Sequence, residues 1–317
     1  MKAVFGPIPS RRLGQSLGID PIPLKTCNWN CVYCQLGRSR PMINERREYI
    51  AVDLILKQVQ AALDVHNPGE IDWVTFVGSG EPTLNSSLGD MIRRVKQITD
   101  LPVAVITNGA LMFLPEVRED LLAADAVLPS LDAGSAALYK KINRPHPGVP
   151  FDKMIVGMIE FRQIYSGKLW IEIMMVRGVN DTELALRELA VVLDKINPDE
   201  IHVNQPIRPP AEPWVQPADD EGLLRASAIL GDKARVFTFP KGHFDLGQYE
   251  NIVDAILAII TRHPMRQVEL EQTLEEWGKG KVNLALRELA DSGRAQIVER
   301  YDTLFWSASV SHFSNLE

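Results

Sequence analysis

The sequence predicts an α/β protein: an open, partial (β/α)6 barrel followed by a small winged-helix-like domain. Three observations predict it. Apolar residues between positions 15 and about 205 alternate between the period of strands and the period of helices, the pattern of repeated strand–helix units around a parallel sheet. About six repeats are present, fewer than the eight of a closed barrel. Beyond His263-Pro264 the pattern becomes helix, helix, hairpin.

Each element follows in order. A first strand lies near Leu17 to Asp20, and strand-like runs recur at Trp73 to Val77, Val103 to Thr107, Ala126 to Leu131, Leu169 to Val176 and Glu200 to Asn204. Amphipathic stretches at 51–64, 87–98, 114–123, 152–165 and 181–195 supply the helices between them. Residues 205–217 hold Pro206, Pro209, Pro210, Pro213 and Pro217, too many prolines for a helix or a central strand, and read as a lid. A short strand, Ala234 to Phe239, and a helix, Tyr249 to Thr261, complete a barrel domain over residues 1–262. In the remainder, 263–317, helices at Gln267 to Trp277 and Val282 to Ser292 precede a hairpin from Ala295 to Trp306 that turns at Tyr301-Asp302-Thr303.

The chain has 317 residues, 45% of them apolar, with 34 basic and 41 acidic side chains for a net charge of −7. No overall field attracts nucleic acid or anionic lipid. Three cysteines exclude a disulfide framework of the secreted type and point to a reducing compartment. Gly6 and Pro7 interrupt the N-terminus before a signal-peptide core forms, and the most apolar run, Ile252 to Ile260, contains Asp254 and is too short to span a membrane. A cytoplasmic protein with no membrane segment is expected.

Function in such barrels gathers at the carboxyl ends of the strands. All three cysteines lie in the loop after the first strand, as Cys27-Asn28-Trp29-Asn30-Cys31-Val32-Tyr33-Cys34. Buried apolar cysteines are one reading, and structural zinc is another. Zinc needs a fourth ligand, usually from a second paired knuckle, and none of the six histidines stands within 30 residues of Cys34. Three thiolates suit a cubane [4Fe–4S] cluster with one iron open to an external ligand.

This spacing resembles the radical S-adenosylmethionine (SAM) superfamily, whose C-x₃-C-x₂-C signature Cys27, Cys31 and Cys34 match. The resemblance implies a partial barrel of the radical SAM type, a [4Fe–4S] cluster and SAM as cofactors, and Tyr33 beside the SAM adenine. It places Gly78-Ser79-Gly80-Glu81-Pro82 at the SAM amino group, with Ser79 where a glycine is commoner. Asn108, in the turn Thr107-Asn108-Gly109, is expected near the methionine moiety, Ser130 and Asp132 near the ribose or carboxylate, and Asn180 near the adenine or sugar. A turn or a helix cap explains Asn108, Ser130, Asp132 and Asn180 equally well. Glu172 faces SAM or solvent according to strand register. The chemistry implied is reductive cleavage of SAM to a 5′-deoxyadenosyl radical that abstracts hydrogen, by an oxidoreductase or transferase of open substrate.

The segments Gly6 to Gly14, Cys27 to Gly37, Gly80 to Asn85, Ile142 to His146 and Arg208 to Glu212 together look like the wyosine-synthetase-related branch. The tRNA-modifying members carry extra cysteines for a second cluster. This chain has none left over, so a stand-alone relative with a different substrate is expected.

Residues 1–50 carry eight basic and three acidic groups, net +5, the middle of the chain is net −10, and residues 262–317 are net −2. Positive charge beside the cysteines suits a phosphate- or carboxylate-bearing substrate, an acidic flavodoxin- or ferredoxin-type electron donor, or a solvated surface. Asn143, Arg144, His146 and Arg208 are the candidate substrate contacts, because arginines on barrel-top loops clamp oxyanions; Arg208 in its proline-rich frame equally locks the lid to the barrel, and His146 between two prolines equally reads as a turn residue. His202 reads as a packed histidine. Three functions remain open: radical chemistry on RNA or a nucleotide, modification of a peptide or protein docked through the winged helix, and a non-enzymatic iron–sulfur redox sensor.

Overall fold

A computed structural model describes residues 2–237, 249 and 251–313. Eight strands form one sheet in chain order, β1 (Val4–Ser10), β2 (Gly14–Ile19), β3 (Trp73–Phe76), β4 (Val103–Thr107), β5 (Ala126–Pro129), β6 (Lys168–Met174), β7 (Glu200–Asn204) and β8 (Ala234–Val236). β1 and β2 form an antiparallel hairpin and every later pair is parallel, which is the partial barrel expected from the alternation. The sequence reading missed β1, whose Gly6, Pro7 and Pro9 read as a break. Those residues sit on an edge strand, where a missing N–H costs no ladder bond.

Helices α1 (Val52–Val65), α2 (Leu88–Ile98), α3 (Pro115–Leu121), α4 (Ala136–Ile142), α5 (Phe151–Ile164), α6 (Glu183–Ile196) and α7 (Asp220–Leu230) fill the crossovers. Each long one buries an apolar stripe: Met91, Ile92 and Val95 of α2, or Leu186, Leu189, Val192 and Leu193 of α6. α6 is set by its ends, since Thr182 accepts from Ala185 N at 3.3 Å and Asn197 closes it in the left-handed region. Two short helices were not anticipated. α4 has seven residues, too few for periodicity to show, and α7 starts in an acidic run where Asp219 accepts from Gly222 N at 2.9 Å.

The main core lies between sheet and helices. A smaller cluster inside the barrel, Leu13, Ala104, Ala126 and Leu128 with Trp73, Ile106 and Trp170, plugs its lower half. That plug leaves the upper half free for a site.

Beyond the sheet come α8 (Ile252–Arg262), α9 (Gln267–Thr273), α10 (Lys279–Asp291) and an antiparallel hairpin of β9 (Ala295–Arg300) and β10 (Thr303–Ala308). Tyr301 and Asp302 turn it with both φ angles near +55°, the geometry of a two-residue hairpin whose twist matches its strands. The helix assigned to the barrel from the sequence behaves differently. Ile256, Ile259 and Ile260 of α8 pack with Leu270, Leu286 and Leu289 of the C-terminal cluster. Its periodicity was legible, but the partner of its apolar face was not. The expected strand residues Thr238 and Phe239 lie outside the described residues.

Candidate active site

The cysteine loop follows β2 and is clipped onto the segment after α4. Asn30 N donates to Asn143 O at 3.0 Å, Val32 N to Ile142 O at 2.9 Å, and His146 N to Asn28 O at 2.8 Å. Local turns, Cys34 N to Cys31 O at 3.1 Å and Gly37 N to Cys34 O at 3.0 Å, bring the last two thiols onto one short stretch. All three thiols are free and half-buried.

Each sulfur has a nitrogen donor from a different place. Trp29 N lies 3.4 Å and Asn108 Nδ2 3.8 Å from Cys27 Sγ. Asn143 Nδ2 is 3.7 Å from Cys31 Sγ, and Lys25 Nζ is 3.3 Å from Cys34 Sγ while also donating to Gly37 O at 2.5 Å. Burial pushes the Cys27 thiol up to about 12, with the Glu81 charge adding to it. Burial likewise raises Cys31, helped by Cys27 and Cys34. Thiols that raise one another in a dry loop ionise only against a positive centre, and bound iron is such a centre. Among the described residues no three His, Cys, Asp or Glu side chains converge as around a single ion. Three free thiols on one loop, each with a nitrogen donor, are a donor set that fits a four-iron cube held at separate corners.

The glycine-bearing end of β3 packs directly on this loop. A Cβ on Gly80 would stand 2.1 Å from Thr26 O, so only glycine fits. Ser79 donates through N and Oγ to Asp20, at 3.1 and 2.6 Å, and its carbonyl accepts from Lys25 N at 2.6 Å. Glu81 is buried and turned into the protein body. Its carboxylate accepts from Thr83 N at 2.9 Å, Thr83 Oγ1 at 2.6 Å, Thr107 Oγ1 at 2.5 Å and Asn108 N at 2.7 Å. Burial presses its pKa upward and those donors pull it back. Four donors leave Glu81 as a brace between two strand ends.

Asn108 extends the brace, donating to Asn28 Oδ1 at 2.8 Å. Asp132 is the second junction. It accepts from Tyr33 Oη at 2.5 Å, Asn143 Nδ2 at 2.6 Å and Met174 N at 2.7 Å, and burial raises its pKa. Asn180 holds the loop after β6, accepting from Val176 N at 2.7 Å and donating to Asp132 O and Met174 O at 2.9 Å each. Ser130 is half-buried and bridged to Glu172. Glu172 faces the barrel interior and pairs with Arg12, which settles its register. His202 is buried between Trp170 and Phe237, with Nε2 2.9 Å from Glu200, and burial lowers its pKa to about 4.

The candidate substrate contacts are engaged elsewhere. Arg144 Nη1 lies 2.6 Å from Glu212, which Arg38 also holds through two bonds of 2.8 and 2.9 Å. Arg208 Nη1 reaches Glu269 of α9 at 2.8 Å, and His146 Nδ1 accepts from Gly148 N at 3.1 Å inside a turn. Asn143 is fully buried beneath the cysteines. Sequence reasoning saw these polar residues near the barrel top and missed their partners, because Glu212 and Glu269 are distant in the chain. Lys25, Asp20, Asn28 and Glu212 were missed as well. Lys25, two residues before Cys27, and Asn28, directly after it, carried a local signal.

Glu212 therefore ties the proline-rich segment 205–217 to Arg38 beside the cysteines and to Arg144 after α4. Burial alone would raise its pKa, but the hydrogen bonds and charges of Arg38 and Arg144 outweigh that and hold it below the usual range. Glu212→Ala is expected to cost about 2 kcal/mol in urea unfolding at neutral pH, between the values for exposed and buried pairs. A folded-state pKa below the unfolded one gives stability that is present above the unfolded pKa and lost as pH falls through the folded one. The gap between the two proteins should therefore shrink with acidification, and a midpoint equal to wild type at neutral pH would sink the idea.

Above the plug opens a cavity of about 830 Å³. Tyr33, Cys34, Gly78 and Ser79 line one side, Glu172, Met174 and Asn204 the barrel floor, Arg11 and Arg12 the β1–β2 turn, and Arg262, His263 and Glu269 the C-terminal helices. The size falls in the range of small-molecule and cofactor sites, roughly 300–1,000 Å³.

A thiol-bearing loop over the carboxyl end of an open parallel barrel defines a class, and comparison with known proteins agrees. The family model described as the radical SAM superfamily matches residues 22–190. The chain is 38% identical over 282 residues to a UPF0026 protein of Methanocaldococcus jannaschii, covering 87% of each. It is 37% identical over 302 residues to a Brachyspira hyodysenteriae protein named GTPase Obg, covering 93% of this chain and 43% of that one, so it spans less than half of that relative. A solved radical SAM methyltransferase from Sphaerobacter thermophilus shares the fold, with a TM-score of 0.52 and 19% identity over 70% of this chain and 66% of that one. The chain belongs to the radical SAM superfamily and, within it, groups with the UPF0026 proteins. Its cofactors are a [4Fe–4S] cluster and SAM, and its activity is that of a SAM-cleaving radical enzyme. Among the described residues no helix is long and apolar enough to cross a membrane.

Proposed function

We propose that Cys27, Cys31 and Cys34 hold the cluster at three irons, leave the fourth for SAM, and serve radical chemistry on an anionic nucleotide or RNA substrate. One observation carries this reading: the thiol loop, through Tyr33 and Cys34, and the Gly78-Ser79 strand end line the same cavity as four arginines, Arg11, Arg12, Arg208 and Arg262. When bound, the cluster and SAM supply one-electron cleavage of the sulfonium and a 5′-deoxyadenosyl radical for hydrogen abstraction.

The chain's own residues bind, orient and exclude water. Asn108, Asn143 and Lys25 fix the three sulfurs through their nitrogen donors. Asp132 fixes Tyr33, the ring placed at the adenine by resemblance, through a bond of 2.5 Å. Gly78 and Ser79 bring the strand end to the cavity wall, Gly80 packs it on the cysteine loop, Glu81 and Asn108 brace it, and Ser130 and Asn180 hold the neighbouring strand ends. The basic N-terminal segment beside the cysteines suits an acidic flavodoxin- or ferredoxin-type donor, in keeping with a cytoplasmic enzyme. Residues 205–217 act as a lid, with Arg144 and Arg208 positioning it. The C-terminal helices and hairpin act as a winged-helix-like module against the barrel.

A second reading has its own observation. The net −2 C-terminal segment contributes Arg262, His263 and Glu269 to the cavity wall, which favours a peptide or protein partner over RNA at that face. Anaerobic incubation of reconstituted protein with SAM and reductant, against RNA, small-molecule and peptide pools, tests both. Faster 5′-deoxyadenosine release with the RNA or nucleotide pool is expected. Acceleration by the peptide pool instead favours the second reading, and no 5′-deoxyadenosine in any arm overturns both.

A further inference from the structure

Of the four arginines that line the cavity, three are matched by carboxylates. Arg12 pairs with Glu172, Arg208 with Glu269 at 2.8 Å, and Arg262 with Asp20 at 3.4 Å. Arg11 is the exception. It is half-buried in the turn between β1 and β2, and among the described residues no carboxylate, carbonyl or hydroxyl reaches its guanidinium. The remaining lining carboxylate, Glu275, stands exposed on α9's side of the rim. Phe5, Ile8, Ile106 and Met174 are among the apolar residues that line the same cavity, and the charges that act on Arg11 are those of Arg208 and Arg12.

Placing a guanidinium in such a wall without a partner is costly. Burial, with Arg208 adding repulsion, presses its pKa below the usual arginine value. Both penalties are relieved by an anion between Arg11 and the chamber, because a guanidinium offers two parallel N–H donors to a carboxylate or phosphate edge. A water-poor wall strengthens that pairing relative to a surface site.

We propose that Arg11 is the anchor for an oxyanion of the substrate, a phosphate or carboxylate group held at the β1–β2 turn on the side of the cavity away from the cysteines. This rests on the reading that the chamber holds the substrate, and it adds the residue that selects for negative charge.

The test uses the full-length chain without cluster or SAM, so it reads separately from radical chemistry. Pyrophosphate and citrate, as phosphate and carboxylate probes, are titrated calorimetrically into wild type, Arg11→Gln, Arg11→Lys and Arg187→Gln. Arg187 lies on the exposed face of α6, paired with Glu183, and serves as a surface control. Wild type and Arg187→Gln should bind at least one probe alike, and the stronger arm names the group. Arg11→Gln should weaken it by about tenfold, which is about 1.4 kcal/mol, with partial recovery in Arg11→Lys. Equal affinity in Arg11→Gln, equal loss in Arg187→Gln, or no binding of either probe by wild type overturns the proposal. Absence of 5′-deoxyadenosine from the reconstituted wild type would instead overturn the radical reading while leaving these affinities unchanged.

Discussion

Cys31→Ala is expected to abolish SAM cleavage and the iron–sulfur absorbance of the reconstituted protein together. The argument is one of ligand count. The chain has three cysteines, all in the loop clipped over the cavity, and no other thiol exists to replace a lost one. Cys31 is the middle cysteine, the one raised by both of its neighbours, so under the proposed assignment its removal leaves two sulfurs that cannot enclose a cube. A companion variant separates coordination from folding. Asn143→Leu keeps every thiol and removes the 3.7 Å donor to Cys31, so it should lose roughly 10–100-fold in activity or cluster retention, as outer partners of metal ligands do. Normal iron content and SAM cleavage in Cys31→Ala would refute the assignment.

The second large effect is expected from Glu81→Leu. Glu81 receives four donors from Thr83, Thr107 and Asn108, and leucine of similar size offers no acceptor. The two hydroxyls can rotate toward other partners. The backbone N–H groups of Thr83 and Asn108 cannot, and each buried donor left unmatched costs about 1–3 kcal/mol. A total loss of about 3 kcal/mol is expected in urea unfolding of the apoprotein, with SAM cleavage reduced because Asn108 no longer sits by Cys27. Glu81→Gln keeps one acceptor oxygen and should lie between the two proteins. Wild-type stability in Glu81→Leu would show that the brace is not structural.

The alternation of periods and the count of repeats were enough to give the partial barrel, because each strand and long helix advertises its buried face locally. The three cysteines were legible for the same reason, within eight positions. What stayed hidden were the partners. Resemblance places Glu81 at the SAM amino group, and Asp132 near the ribose or carboxylate or in a cap; Thr107 and Asn108, which engage Glu81, and Tyr33 and Met174, which engage Asp132, come from other repeats. Arg144 and Arg208 read as substrate contacts, Arg208 equally as a lock between the proline-rich segment and the barrel, and Glu212 and Glu269, which hold them, lie 68 and 61 residues away. The α8 helix was placed with the barrel because an apolar stripe does not name the surface it covers. Arg11, by contrast, stood only as part of the Gly6 to Gly14 segment and as one of the eight basic residues of 1–50, and gained meaning when the other arginines of the cavity proved to be paired.

The helices beyond the barrel close its open side with side chains of their own, so the chamber has two walls of separate origin in the chain. The wall bearing the cysteines and the Gly78-Ser79 edge serves chemistry common to the superfamily. The adjoining wall, with Arg262, His263 and Glu269, belongs to a segment outside the matched residues 22–190. Exchange of that segment between relatives would therefore reshape what the chamber admits while leaving its radical-generating half intact, a route by which one reactive core diversifies through its tail.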